Sequence, residues 1–190
     1  MLNDSLLNLY GWAAYLSAAA TIFTFITGIM FFYFGERFGK INDLSSIFQV
    51  LFMLPLALMF VQLMPAEHLI IGVFAALMGI GGMLVSAYGQ SLLVLGRIDF
   101  QQSLRFFPAG GAIGIWLVLI SSTSIVDQLL PQSLAWIGVL AGLGYILTVV
   151  GFLRGGQRNM LFSLGSLVLV ISYPIWATWL GRLLLDWGLS

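Results

Sequence analysis

A chain of 190 residues that is 61% hydrophobic and 7% charged, with a mean hydropathy of +1.06, is far from a soluble domain, in which about a quarter of residues are charged. Seven basic and seven acidic side chains cancel to zero net charge, which leaves no cationic surface for nucleic acid. The absence of cysteine excludes disulfides, thiolate catalysis, thiolate zinc sites and cysteine-ligated clusters. This is the composition of an integral membrane protein, and at about 20 apolar residues per crossing the length holds about six helices and no extramembrane domain.

The opening MLNDSLLNLY carries Asp4 and no basic residue. It therefore lacks the basic region of a cleaved signal peptide, and residues 10–34 read as a retained first helix. Ala13, Ser17, Ala20, Thr24 and Thr27 recur along it at steps of four and three, a strip of small residues of the kind through which helices approach each other in lipid. After GERFGK, a second apolar run spans 45–64, contains Pro55 and closes at Pro65.

The third run, 69–96, contains GVFAALMGIGGMLVSAYG, in which Gly72, Ala75, Gly79, Gly82, Ser86 and Gly89 follow steps of three and four. Each interior glycine costs a helix about 1 kcal/mol relative to alanine, so the pattern requires a compensating close contact. The expected partner is another helix of the same chain, with a second copy as the alternative. The fourth run, 109–126, follows Pro108, which suits a first helical position, and carries Gly110-x-x-x-Gly114. The fifth, 134–153, follows Pro131 and carries Gly138-x-x-x-Gly142; the sixth, 161–185, follows RGGQRN and contains Pro174. Pro55 and Pro174 leave the carbonyls of Leu51 and Val170 without their helical donor. A kink is the expected consequence, and backbone oxygen exposed to a ligand is the sharper alternative. The expectation is one all-α domain over 1–190, a six-helix transmembrane bundle packed through small-residue seams.

Basic residues set the expected orientation. Arg37 and Lys40, Arg97 and Arg105, and Arg154 and Arg158 fall between helices one and two, three and four, and five and six, whereas PAEH, DQLLPQS and the N-terminus contain no Lys or Arg. The positive-inside rule puts the basic connections in the cytoplasm and both termini outside, in a bacterial or archaeal inner membrane. Arg182 is the exception, near the outer end of the last helix.

All charges are expected at helix ends or in connections, which leaves no intramembrane carboxylate for proton or cation coupling. No nucleophile–base pair or metal set is visible, so an enzyme is disfavoured and no cofactor is expected. The one histidine, His68, follows Glu67 at the outer start of the third helix; a capping role is expected, with ligand contact as the alternative. In ISYPIWATWLGR, the steps of three from Trp176 to Trp179 to Arg182 put two indoles and a guanidinium near one side of the helix, one turn beyond Tyr173 and Pro174. An aromatic belt with a snorkelling Arg accounts for this. The sharper reading is a binding pocket, with Gln62 and the Ser121–Ser124 run at similar depth. Arg37, Lys40, Arg97 and Arg105 face anionic lipid headgroups at the opposite end, for about 1 kcal/mol each.

FGKINDLSSIFQVLFMLPLALM (38–59) and LVISYPIWATWLGRLLL (169–185) resemble segments of uncharacterised bacterial six-helix membrane proteins classed as domains of unknown function. That resemblance implies the same topology and supplies no activity. Ala14-x-x-x-Ala18 resembles the helix-one contact of vitamin-binding subunits of energy-coupling-factor importers, which implies a vitamin ligand and a partner complex. The leading functional expectation is non-enzymatic binding or transport of an amphiphilic small molecule or lipid in an outer-leaflet pocket formed by Tyr173, Trp176, Trp179, Arg182, His68 and Gln62. The alternative is a structural or accessory subunit of a larger membrane complex, and the second alternative a vitamin-binding subunit of an energy-coupling-factor importer; the expected partners are membrane lipids and an amphiphile, with a membrane protein or a second copy of the chain in a homo-oligomer as alternatives.

Overall fold

The computed structural model describes residues 3–188; Met1, Leu2, Leu189 and Ser190, and the side chains of Phe32 and Glu36, lie outside that description. The described chain forms α1 (Asp4–Phe34), α2 (Glu36–Leu63), α3 (Leu69–Val94), the single-turn α4 (Phe100–Ser103), α5 (Ala109–Val126), α6 (Gln132–Gly155) and α7 (Met160–Trp187), with short 3-10 turns between some of them. Six apolar spans of 27 to 29 residues result. At 1.5 Å per residue each extends about 40 Å, enough to cross a hydrocarbon core of about 30 Å. The protein is an all-α, multi-pass, six-helix membrane bundle.

Local chemistry moves two helix starts ahead of the hydropathy boundaries. The Asn3 side chain accepts from Leu6 N at 2.8 Å and Asp4 occupies the first turn, so α1 is capped and its dipole complemented well before the apolar run begins. Only Gly35 separates α1 from α2, at a φ of 84° that suits glycine and strains other residues. As a result Arg37, Lys40 and Asp43 ride on the first turns of α2 rather than in a loop. On α4, Asp99 and Gln102 cap each other reciprocally at 2.7 and 3.1 Å, which fixes the approach to α5.

Each span packs against its chain neighbours, and α7 returns to pack against α1. The six helices thus close a ring around a shared interior. The short connections alternate between two ends. One end carries Arg37, Lys40, Arg97, Arg105, Arg154 and Arg158; the other carries Glu67, His68, Asp127 and Asp186.

Glycines make the ring tight. A Cβ on Gly114 or on Gly142 would sit 2.7 Å from the other's carbonyl oxygen, and Gly144 faces Gly165, and Gly11 faces Gly181, in the same reciprocal way at 2.9–3.2 Å. The contacts of α5 with α6, α6 with α7 and α7 with α1 are therefore backbone against backbone, the close approach that small residues permit in lipid. The α3 seam is mostly a row of sockets: Gly72 receives Met64, Gly79 receives Trp116 and Gly89 receives Phe106, while at Gly82 a Cβ would meet Ala109 O at 2.7 Å. Its seam glycines are buried within the chain, so the intrachain partner expected from their spacing is present. Between α1 and α2 the link is polar, with Thr24 Oγ1 2.8 Å from Ser45 Oγ. Outside the ring, Ile22, Phe23, Ile26, Leu77, Leu84 and Ile171 are exposed and suit a lipid surround.

Candidate functional site

The two halves of the ring interior are filled differently. Toward the acidic end, Met53, Leu56, Phe60, Trp116, Leu117, Ile120, Leu134 and Trp176 are almost completely buried and form a largely apolar plug. Trp176 stacks on Phe60 at 6.1 Å and meets Trp116 edge-on at 6.4 Å. Beneath the plug lies a hydrogen-bonded layer. Tyr173 Oη donates to Ser17 Oγ at 2.9 Å, and Gln49 Nε2 donates to Tyr145 Oη at 3.1 Å; the two tyrosine rings are 6.4 Å apart.

On the basic side of this layer is a cavity of about 370 Å³ whose walls come from all six spanning helices. Thr21 and Thr24 contribute from α1, Ser46 and Gln49 from α2, Ser86 and Gln90 from α3, Tyr145 and Thr148 from α6, and Ser166 from α7; Ser103 on α4 and the apolar Phe106, Phe107 and Ile113 complete it. Among the described residues, no charged side chain lines it. Several hydroxyls already donate to their own helix, as Thr21 does to Ser17 O at 2.8 Å and Thr148 to Gly144 O at 2.7 Å, so they present lone pairs rather than protons. Gln90 Oε1 is buried and has no hydrogen-bond partner. Val170, whose carbonyl lost its helical donor to Pro174, also belongs to the wall. Such a lining suits an uncharged group that forms hydrogen bonds. Among the described residues no cluster of three His, Cys, Asp or Glu side chains is placed to hold a metal ion.

The aromatic–arginine strip of α7 is split by the geometry of the helix. Each step of three residues falls about 60° short of full turns, so the strip winds off the interior. Tyr173 and Trp176 are fully buried in the plug, Trp179 is 38% exposed, and Arg182 points outward with its Nε 3.8 Å from Asp186 Oδ2. Trp179, Arg182 and Asp186 join Tyr15, Ile22, Pro174, Ile175 and Thr178 in a groove of about 660 Å³ on the outside of the α1–α7 seam. Trp176 Nε1 and Ser121 Oγ are buried without partners, and both crowd the position that a Cβ on Gly138 would take.

His68 lies elsewhere, its Nδ1 2.8 Å from Asp127 Oδ2, tying the α2–α3 connection to the end of α5. Gln62 Oε1 accepts from Tyr10 Oη at 3.4 Å. Neither His68 nor Gln62 lines the groove or the cavity. Ala14 and Ala18 are buried inside the bundle, at 0% and 3% exposure, so their face is occupied within the chain. The central cavity is absent from the sequence reading because its walls are single hydroxyls and amides on separate helices, each of which looks alone like an ordinary back-bonded or packing residue. No family model, curated protein or solved structure matches this chain.

Proposed function

We propose that this chain is a non-enzymatic membrane protein that binds, and carries within the bilayer, an uncharged amphiphile whose polar head forms hydrogen bonds in the central cavity. The observation that carries the reading is the buried, unpartnered Gln90 Oε1 on the wall of a cavity with hydroxyl and amide groups from five of the spanning helices. An orphaned buried acceptor costs about 1–3 kcal/mol, which a ligand donor would offset. The volume lies within the range of small-molecule sites, about 300–1,000 Å³. Phe106, Phe107, Ile113 and Leu169 supply apolar surface for the body of such a molecule. The clustering of Lys and Arg at one end supports a reading in which the cavity lies in the cytoplasmic half of a bacterial or archaeal inner membrane.

The groove outside the α1–α7 seam favours a second reading. There Trp179 gives an aromatic wall and Arg182 a guanidinium for the head of an anionic amphiphile in the outer leaflet. Native mass spectrometry of protein released from nanodiscs, repeated on variants, separates the two. Retained small molecule lost on Gln49→Ala or Gln90→Ala but kept on Arg182→Ala supports the cavity, and the reverse supports the groove. A protein that carries no small molecule but co-isolates with a stoichiometric membrane partner would sink both and leave an accessory subunit.

A further inference from the structure

We infer that the cavity is entered sideways, from the lipid, through the seam between α1 and α7 on the basic half of the bundle. This rests on the reading of the cavity as a binding site and adds the route by which a bilayer-dissolved amphiphile reaches it.

Several observations converge. The α1–α7 contact is closed toward the acidic end, where Gly11 abuts Gly181 and Tyr173 is bonded to Ser17. Past Ser17 and Tyr173 toward the basic end, Thr21 and Phe25 of α1 and Ser166 and Val170 of α7 are cavity walls. Phe25 lines the cavity while remaining 39% exposed, so one side chain borders both the interior and the outside.

The external groove on this seam reaches Ile22 and Pro174. These lie within about one helical turn, roughly 5 Å, of Phe25 and Val170, so groove and cavity meet along one line. Two other routes are obstructed. Phe107, Phe152 and Phe162 cluster at the basic end of α5, α6 and α7 with ring separations of 4.4 to 6.3 Å, and Thr24 is bonded to Ser45 across α1 and α2. At the seam α7 is also the more deformable, because Pro174 removes a helix hydrogen bond there. A head passing through meets the hydroxyls of Thr21 and Ser166, while its tail stays in hydrocarbon.

The chain has no native cysteine, so single cysteines can be labelled with bimane in Ser166→Cys and, as a second position, Val170→Cys. Gly81→Cys, on an open face of α3, is the lipid-facing reference. In vesicles of phosphatidylcholine brominated along the acyl chain, the expected result is loss of most of the emission at residues 166 and 170, as at residue 81, with little effect of aqueous iodide. Quenching of residues 166 and 170 by iodide and not by bromolipid means a cavity open to water at the basic end, and overturns the proposal. Protection from both quenchers means a sealed seam and overturns it equally. The readout is local solvent, not affinity, so a protein that binds no amphiphile and still shows bromolipid quenching refutes the function while leaving the entrance in place.

Discussion

One methyl group decides much of the packing, and its effect changes sign with position. A Cβ at Gly142 would stand 2.7 Å from Gly114 O and 2.8 Å from Val118 N, main-chain atoms that cannot swing aside. Gly142→Ala should therefore destabilise the bundle by about 1–3 kcal/mol, read as a lower unfolding midpoint in mild detergent. Gly81→Ala points into open space and gains helix propensity, so it should be neutral or stabilising by up to about 1 kcal/mol. Equal effects at the two positions would contradict the backbone-contact account. This contrast was legible in the sequence, because Gly81 falls off the three-and-four spacing that runs through Gly79 and Gly82. The partners were not legible: spacing says that a helix has a close neighbour, and only the fold shows that Gly79 receives Trp116 while Gly142 receives backbone.

At the scale of helix pairs, the ring closes where Tyr173 Oη donates to Ser17 Oγ, and Ser17 in turn donates to Ala14 O at 2.9 Å. The two ends of this link are not equivalent. Tyr173→Phe leaves Ser17 satisfied by Ala14 and should cost about 1 kcal/mol, the scale of interhelical hydrogen bonds in membranes. Ser17→Ala strands a fully buried phenol hydroxyl and should cost more, about 1–3 kcal/mol. Thermal unfolding of the two variants and their combination tests this, and an equal loss from both would mean that the layer is not organised as described. At the acidic end, the His68–Asp127 contact joins two connections with side chains 31% and 11% exposed. A double-mutant cycle with alanine at both should give a coupling of about 1 kcal/mol or less, which marks the pair as a tether between loops. The six spans were legible from hydropathy to within a few residues at most ends. The early starts of α1 and α2 were not, because a cap at Asn3 and a one-residue turn at Gly35 extend helices into polar sequence. The strip from Tyr173 to Arg182 was visible as a pattern, but steps of three drift around a helix, and the fold divides it between plug and outer groove.

For the whole molecule, an up-and-down ring with six basic residues at one end constrains how the connections are shared between the two sides of a membrane. Short connections force consecutive spans to alternate, so the α1–α2, α3–α5 and α6–α7 junctions must share one side of any membrane they cross. On the positive-inside expectation, it is those basic junctions that face the cytoplasm. In sealed, right-side-out vesicles, a membrane-impermeant maleimide should leave Arg37→Cys and Arg154→Cys unlabelled until the vesicles are opened, while Glu67→Cys, exposed at the other end, reacts at once. Labelling of positions 37 and 154 from opposite sides would break the ring topology itself. Labelling of both from outside would keep the ring but invert it, moving the cavity to the other leaflet. The proposed orientation also bears on the proposed lateral entrance: with the basic end in the cytoplasm, a seam that parts on the basic half would open to the inner leaflet, and the plug of Phe60, Trp116 and Trp176 would separate a bound amphiphile from the outer one. Movement of a ligand across the membrane would then require that plug to loosen. Phe60→Ala, which removes one face of the Trp176 stack, should raise passage of a fluorescent uncharged lipid analogue between leaflets above the wild-type rate, as read by dithionite quenching, if the protein carries its ligand across rather than only holding it.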